Sequence, residues 1–280
     1  MGLEASQITG TNFVYQNFSF ERFLDDMVEL GRQRIELWGI AQHFHVPIAT
    51  DDDVRRLGAQ LAARGQSLYC LTPEQVMYPV NLGSDIEWLR ESSLAMFRRA
   101  ADVTAELGGE VLFLTPGRGR EDEDTSEAWK RAVDGLRQVA EYASTQGVRC
   151  VVEALQRSES NLVFDLDSLA RLDRDVAHPN LTIALDTVAM ATAGDTVDDY
   201  YEAFGDRITH VHLVDGAPSG HRAWGDGELP LADYLRVLDE HAFSGMMTFE
   251  IFGAAYARDP LRAHRQCQDA VIYALASLRA

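Results

Sequence analysis

Four successive apolar runs in the second half of the chain each end on a side chain that can bind a metal. VRCVVE closes on Glu153, LTIALD on Asp186 and MMTFE on Glu250, and ITHVHL carries His212 near its end. Strand side chains alternate, so residues two apart share a face. Counting back from Asp186 gives Ala184 and Thr182. From Glu250 the same face holds Thr248, and from His212 it holds His210. The opposite face takes Ile183, Leu185, Val211, Leu213, Met247 and Phe249. Small or polar residues thus share a face with the four ligand types. Carboxylates cannot be buried together without a cation or shared protons. Three carboxylates and an imidazole suit a divalent ion, Mn²⁺ first, with Co²⁺ and Mg²⁺ close behind and Zn²⁺ compatible. An all-Cys/His structural zinc site is excluded. His210, one layer deeper than His212, reads as a packed, hydrogen-bonded support, and Asp215 as a loop residue that braces the site.

These four side chains converge only if their strands are neighbours. The chain alternates strand-like and helix-like runs throughout. Strands are expected at Ile8–Tyr15, Arg34–Trp38, Ser67–Leu71, Glu110–Thr115, Val148–Glu153, Leu181–Asp186, Ile208–Leu213 and Met246–Glu250. Helices are expected near 19–30, 51–64, 84–107, 125–146, 167–174, 196–204, 231–241 and 259–279. Ser84-Asp85-Ile86-Glu87 reads as a capping box that opens the third helix. Gly31, Gly65, Gly108 and Gly147 follow helix ends. This alternation predicts an α/β fold, a (β/α)₈ TIM barrel, as one domain over residues 1–280. The rival doubly wound sheet lacks its Gly-rich phosphate fingerprint after the first strand. In a barrel the site lies at the C-terminal ends of the strands, where the four ligands stand.

Composition removes other classes. The net charge is −19, with 44 acidic and 25 basic residues, which argues against nucleic-acid binding. No run of 18 apolar residues suggests a membrane span. MGLEASQITG has neither a basic n-region nor an apolar h-region, so no secretory signal is expected. Cys70, Cys150 and Cys267 are odd in number and widely spaced, which points to no disulfide framework and to a reducing cytoplasm.

The chain resembles the sugar phosphate isomerase/epimerase family, the xylose isomerase-like TIM barrels, and is closest to ketose 3-epimerase and fructoselysine 3-epimerase-like members. The resemblance runs through IELWG (35–39), YPVN (78–81), EALQRSESN (153–161), LDT (185–187), HLVDG (212–216) and GDGELPL (225–231), in that order. It implies that Glu153, Asp186, His212 and Glu250 bind the metal. It also implies that Glu153 and Glu250 are the acid/base pair: one removes a proton beside a ketose carbonyl, giving a metal-stabilised enediolate, and the other returns it to the opposite face. Glu159 matches a substrate-touching glutamate. His43, with His45 as the alternative, matches a histidine facing the site. His221 matches an arginine or histidine near the substrate; Arg222 is the other choice, or else a surface arginine. Tyr15 and Trp38 read as aromatic pocket walls or as core. The substrate-contacting histidine of tagatose-type members falls on Ala189, as it does in fructoselysine-type members, so a sugar other than a free ketohexose is expected; the family's Pro-Gly-x-Gly reads Trp224-Gly225-Asp226-Gly227. The resemblance further implies a homo-oligomer, a dimer or tetramer.

The function expected is therefore a divalent-metal-dependent epimerase or isomerase of a ketose or keto-sugar. The runner-up is a keto-sugar lyase that expels a leaving group from the same intermediate. A non-catalytic sugar-binding subunit is the alternative of another class. A DNA-repair endonuclease is disfavoured by the charge.

Overall fold

The protein is described by a computed structural model covering residues 2–76 and 79–279; Tyr78 of the YPVN segment lies outside the described residues. Eight strands run in chain order: β1 (Ile8–Gly10), β2 (Arg34–Gly39), β3 (Ser67–Pro73), β4 (Val111–Leu114), β5 (Arg149–Val152), β6 (Leu181–Asp186), β7 (Ile208–His212) and β8 (Met246–Phe249). All seven pairings are parallel, in the order β1-β8-β7-β6-β5-β4-β3-β2. A Thr11–Glu36 bridge brings the two end strands together. This nearly closed cylinder is a (β/α)₈ barrel.

The helices are α1 (Phe20–Glu29), α2 (Asp51–Ala62), α3 (Glu87–Glu106), α4 (Ser126–Thr145), α5 (Leu166–Val176), α6 (Thr187–Ala193), α7 (Val197–Phe204), α8 (Leu231–Glu240) and α9 (Pro260–Leu278). Strand alternation separates two cores. Ile183, Leu185, Val211, Leu213, Met247 and Phe249 pack in the layer shared with the helices. Tyr69, Val111, Phe113, Val151, Ala184 and Met246 fill the barrel interior. Cys70 joins this interior group beside Tyr69, so β3 departs from the alternation that β4 and β6 keep. Among the described residues, no helix is long and apolar enough to cross a membrane.

Local side-chain chemistry moved two boundaries and added a helix. β1 stops at Gly10 rather than Tyr15. The Thr11 hydroxyl accepts from the Phe13 N–H, and Asn12 bonds both the N–H and C=O of Trp38, so the chain turns into a 3₁₀ segment at Phe13–Tyr15. The expected capping box is absent: Ser84 Oγ accepts from the Ile86 N–H two residues on, and α3 begins at Glu87. Helix α6 was not anticipated. Asp186 caps it by accepting from the Val188 and Ala189 N–H groups, and Gly194 ends it at φ 86°. Gly31, Gly65, Gly108 and Gly147 do take positive φ, at 73°, 67°, 69° and 74°.

Candidate metal centre

Register delivers the four strand-end side chains to one place. Asp186 pairs with His212 across β6 and β7, and His212 with Thr248 across β7 and β8. His212 Nδ1 lies 3.3 Å from Glu250 Oε2, 3.6 Å from Glu153 Oε2 and 3.9 Å from Asp186 Oδ2. The ring stacks on Phe113, with centroids 4.5 Å apart. The other nitrogen, Nε2, lies 3.2 Å from Glu36 Oε1, and the second oxygen of Glu36 lies 3.0 Å from His210 Nε2. Glu36, His210 and His212 are all fully buried. A carboxylate on one side of an imidazole fixes which nitrogen faces an ion on the other.

His221 joins the same cluster. It is buried in the β7–α8 loop, with Nε2 3.1 Å from Asp186 Oδ2 and 3.3 Å from Glu250 Oε2. The loop is held by Asp215, whose carboxylate accepts from the N–H groups of Gly216, Gly225, Gly227 and Leu229. A Cβ at Gly227 would lie 2.3 Å from Asp215 Oδ1, so this close approach requires glycine.

Without an ion the charges are mutually strained. Burial pushes the Glu153 carboxyl up to about 8, against the pull of His212. Burial also opposes ionisation of Glu250, but His212 and His221 outweigh it and hold this carboxyl at about 2. Burial would discharge His221, yet Asp186 and Glu250 raise it to about 10. The same contest, decided by Glu250 and Glu36, raises His212 well above its ordinary value. Buried carboxylates around a buried His212 Nδ1 with no hydrogen-bond partner fit a divalent cation. Glu153, Asp186 and His212 form one ligand-spaced group; Asp186, His221 and Glu250 form a second.

A cavity of about 270 Å³ opens over the cluster. Trp38 walls it, stacked on Phe13, and Phe252 and Glu159 line it further round. Glu159 is part-buried, and its Oε2 accepts from the Gln156 N–H at 3.0 Å. Glu74, at the end of β3, also faces this space, and burial followed by the nearby Glu250 raises its carboxyl to about 7.

Three expected pocket residues lie elsewhere. Tyr15 is wholly buried among Phe18, Phe23 and His264, and its hydroxyl donates to Asp26 at 3.0 Å. His43 is turned away by two bonds, to Asn12 and to the Phe18 carbonyl, and borders a separate surface cavity with His45. Arg222 is exposed and donates to the Asp226 carbonyl. Both displacements near β1 follow from the early turn at Thr11–Asn12. Sequence reasoning missed Glu36 and Glu74. The signal for Glu36 was available: in RIELWG it is a charged residue on the strand face opposite Ile35 and Leu37.

Several known proteins are similar to this chain in sequence or in fold. Fructoselysine 3-epimerase of Escherichia coli O157:H7 is 27% identical over 254 residues, covering 90% of this chain and 92% of that protein. The structure of an L-ribulose 3-epimerase superposes with a TM-score of 0.83 at 21% identity, over 97% of this chain and 95% of the other. The IolI protein, solved with a bound zinc atom, superposes with a TM-score of 0.78 at 17% identity, over 96% and 98%. At such identities the structural likeness speaks for the fold. The family model described as xylose isomerase-like TIM barrel matches residues 24–270, and the chain belongs to that family.

Proposed function

We propose that the protein is a divalent-metal-dependent epimerase of a ketose or keto-sugar. The observation that carries this reading is the pair Glu153 and Glu250, two carboxylates directly after β5 and β8 that meet His212 Nδ1 from different sides and line one cavity. The name of the E. coli relative supports the choice of epimerisation.

Glu153, Asp186, His212 and Glu250 hold the ion. When bound, it supplies positive charge beside the oxygens next to the reacting carbon and offsets the negative charge left as the proton departs. One glutamate of the pair takes that proton, and the other delivers one to the opposite face. Glu36 fixes the ring of His212 through Nε2. Glu159 bonds sugar hydroxyls, while Trp38 packs on the sugar's C–H surface. The IolI protein, of the same fold, was solved with a bound zinc atom, which is in keeping with a metal-binding role. The donor set of carboxylates favours Mn²⁺ as the ion. The family resemblance extends the reading to a homo-oligomer; the free buried thiols of Cys70, Cys150 and Cys267 are consistent with a reducing cytoplasm.

Elimination is the second reading. Glu74, with its carboxyl near 7, is a further acid facing the cavity and could protonate a leaving group. A panel of ketoses and keto-glycosides, assayed with chelator-treated protein before and after adding Mn²⁺, Co²⁺ or Mg²⁺, tests both. The expected result is a metal-dependent product of unchanged mass. A cleaved or unsaturated product assigns the lyase, and metal-independent turnover contradicts the mechanism.

A further inference from the structure

We propose that His221 is itself a ligand of the ion, through Nε2, so that the centre has two imidazoles instead of one. This rests on the metal reading above. The resemblance implied a substrate contact for this residue, but its surroundings are those of a donor. Nε2 faces Asp186 Oδ2 and Glu250 Oε2, the same two oxygens that face His212 Nδ1. Donors about 2.1 Å from a common ion stand about 3.0 Å apart when adjacent and about 4.2 Å when opposite. The five separations that link the two imidazoles to Glu153, Asp186 and Glu250 run from 3.1 to 3.9 Å, within that interval.

The ring is also held in place for the task. It stacks on Phe252 at 4.2 Å between centroids. The His221 carbonyl accepts from the Phe252 N–H, and Arg222, next in the chain, exchanges both backbone bonds with Asp215. The neighbouring Ala223 N–H donates to the Tyr256 hydroxyl. The ring is thus fixed with Nε2 aimed into the carboxylates. A second imidazole softens an otherwise oxygen-rich site. It raises affinity for Co²⁺ and Zn²⁺ relative to Mg²⁺ and Mn²⁺.

The test uses the full-length protein, stripped by chelator and loaded with Co²⁺. Proton NMR of the Co²⁺ form should show two exchangeable, paramagnetically shifted imidazole N–H resonances, one from His212 and one from His221. His221→Leu should lose one of them and weaken Co²⁺ binding about tenfold or more, the least expected if a direct ligand matters as much as an outer partner. His221→Asn is the second variant, and the wild-type resonance count stands if both misfold. A single resonance in the wild type, or unchanged Co²⁺ affinity with a raised KM in the variants, overturns the ligand role and leaves the metal reading intact. Failure of the wild type to bind Co²⁺ at all overturns the metal reading, and this inference with it.

Discussion

His212 and Glu36 face each other across the barrel floor, Nε2 to Oε1 at 3.2 Å, while the opposite nitrogen of His212 points into three carboxylates. Strand β2 thereby sets the orientation of a side chain on β7. Glu36→Gln keeps the shape but loses the charge that polarises the ring. Metal affinity should fall about 10- to 100-fold, read by competitive titration against a chromophoric chelator. Unchanged affinity contradicts the orienting role.

Glu153→Gln and Glu250→Gln should each lower kcat by about 10²- to 10⁴-fold, the usual contribution of a positioned acid or base. Both side chains are also proposed ligands, so metal content is measured by elemental analysis alongside the rate. Substantial turnover in either variant with the ion still bound removes that residue from the acid/base pair.

Metal binding should depend on pH with a definite sign. Burial lifts Glu153 to about 8, and Asp186 and Glu250 lift His221 to about 10 against burial, so both groups carry protons at neutral pH in the ion-free protein. An ion binds only the deprotonated forms. Affinity should therefore rise from pH 6 to pH 8, with protons released into a weakly buffered solution at pH 7. A flat profile without proton release would contradict these charge states.

Acid stability should have a contributor outside the cluster. His264 is buried on α9, and burial together with Arg32 lowers it from the ordinary 6.5 to about 3. A depressed histidine stabilises the fold fully above 6.5. That stabilisation is lost as pH falls from there toward 3, because the unfolded chain takes up the proton first. The slope is about 1.4 kcal/mol per pH unit from this group. Urea titrations from pH 7 to pH 4 should show His264→Asn losing less stability on acidification than the wild type. Equal slopes would show that another group carries the acid limb.

The barrel, and the convergence of Glu153, Asp186, His212 and Glu250, were legible because both follow from periodicity. Period-two strands fix which residues face the axis, and position at a strand's end fixes the layer. His43, Tyr15 and Arg222 were misplaced because they sit beyond strand ends, where no period operates. There a few side-chain bonds decide direction: Asn12 to Trp38 turns the chain after β1, and Asp215 with Arg222's backbone shapes the β7 loop. Helix α6 was missed because Asp186 has two roles, with one oxygen capping the helix and the other facing His221. Glu36 carried a parity signal, but a lone inward carboxylate gains meaning only once β2 is known to reach His212 of β7 through the barrel interior.

The central claim is proton exchange at a single carbon, flanked by Glu153 and Glu250 and dependent on a divalent ion. The most direct measurement incubates the metal-loaded protein with its best ketose or keto-sugar in D₂O and follows the sugar by NMR and mass spectrometry. The expected result is one deuterium at the epimerised carbon, equilibrium between two epimers, and no exchange after the ion is removed. Epimerisation without deuterium uptake at any conversion, or exchange that persists without the ion, would contradict it.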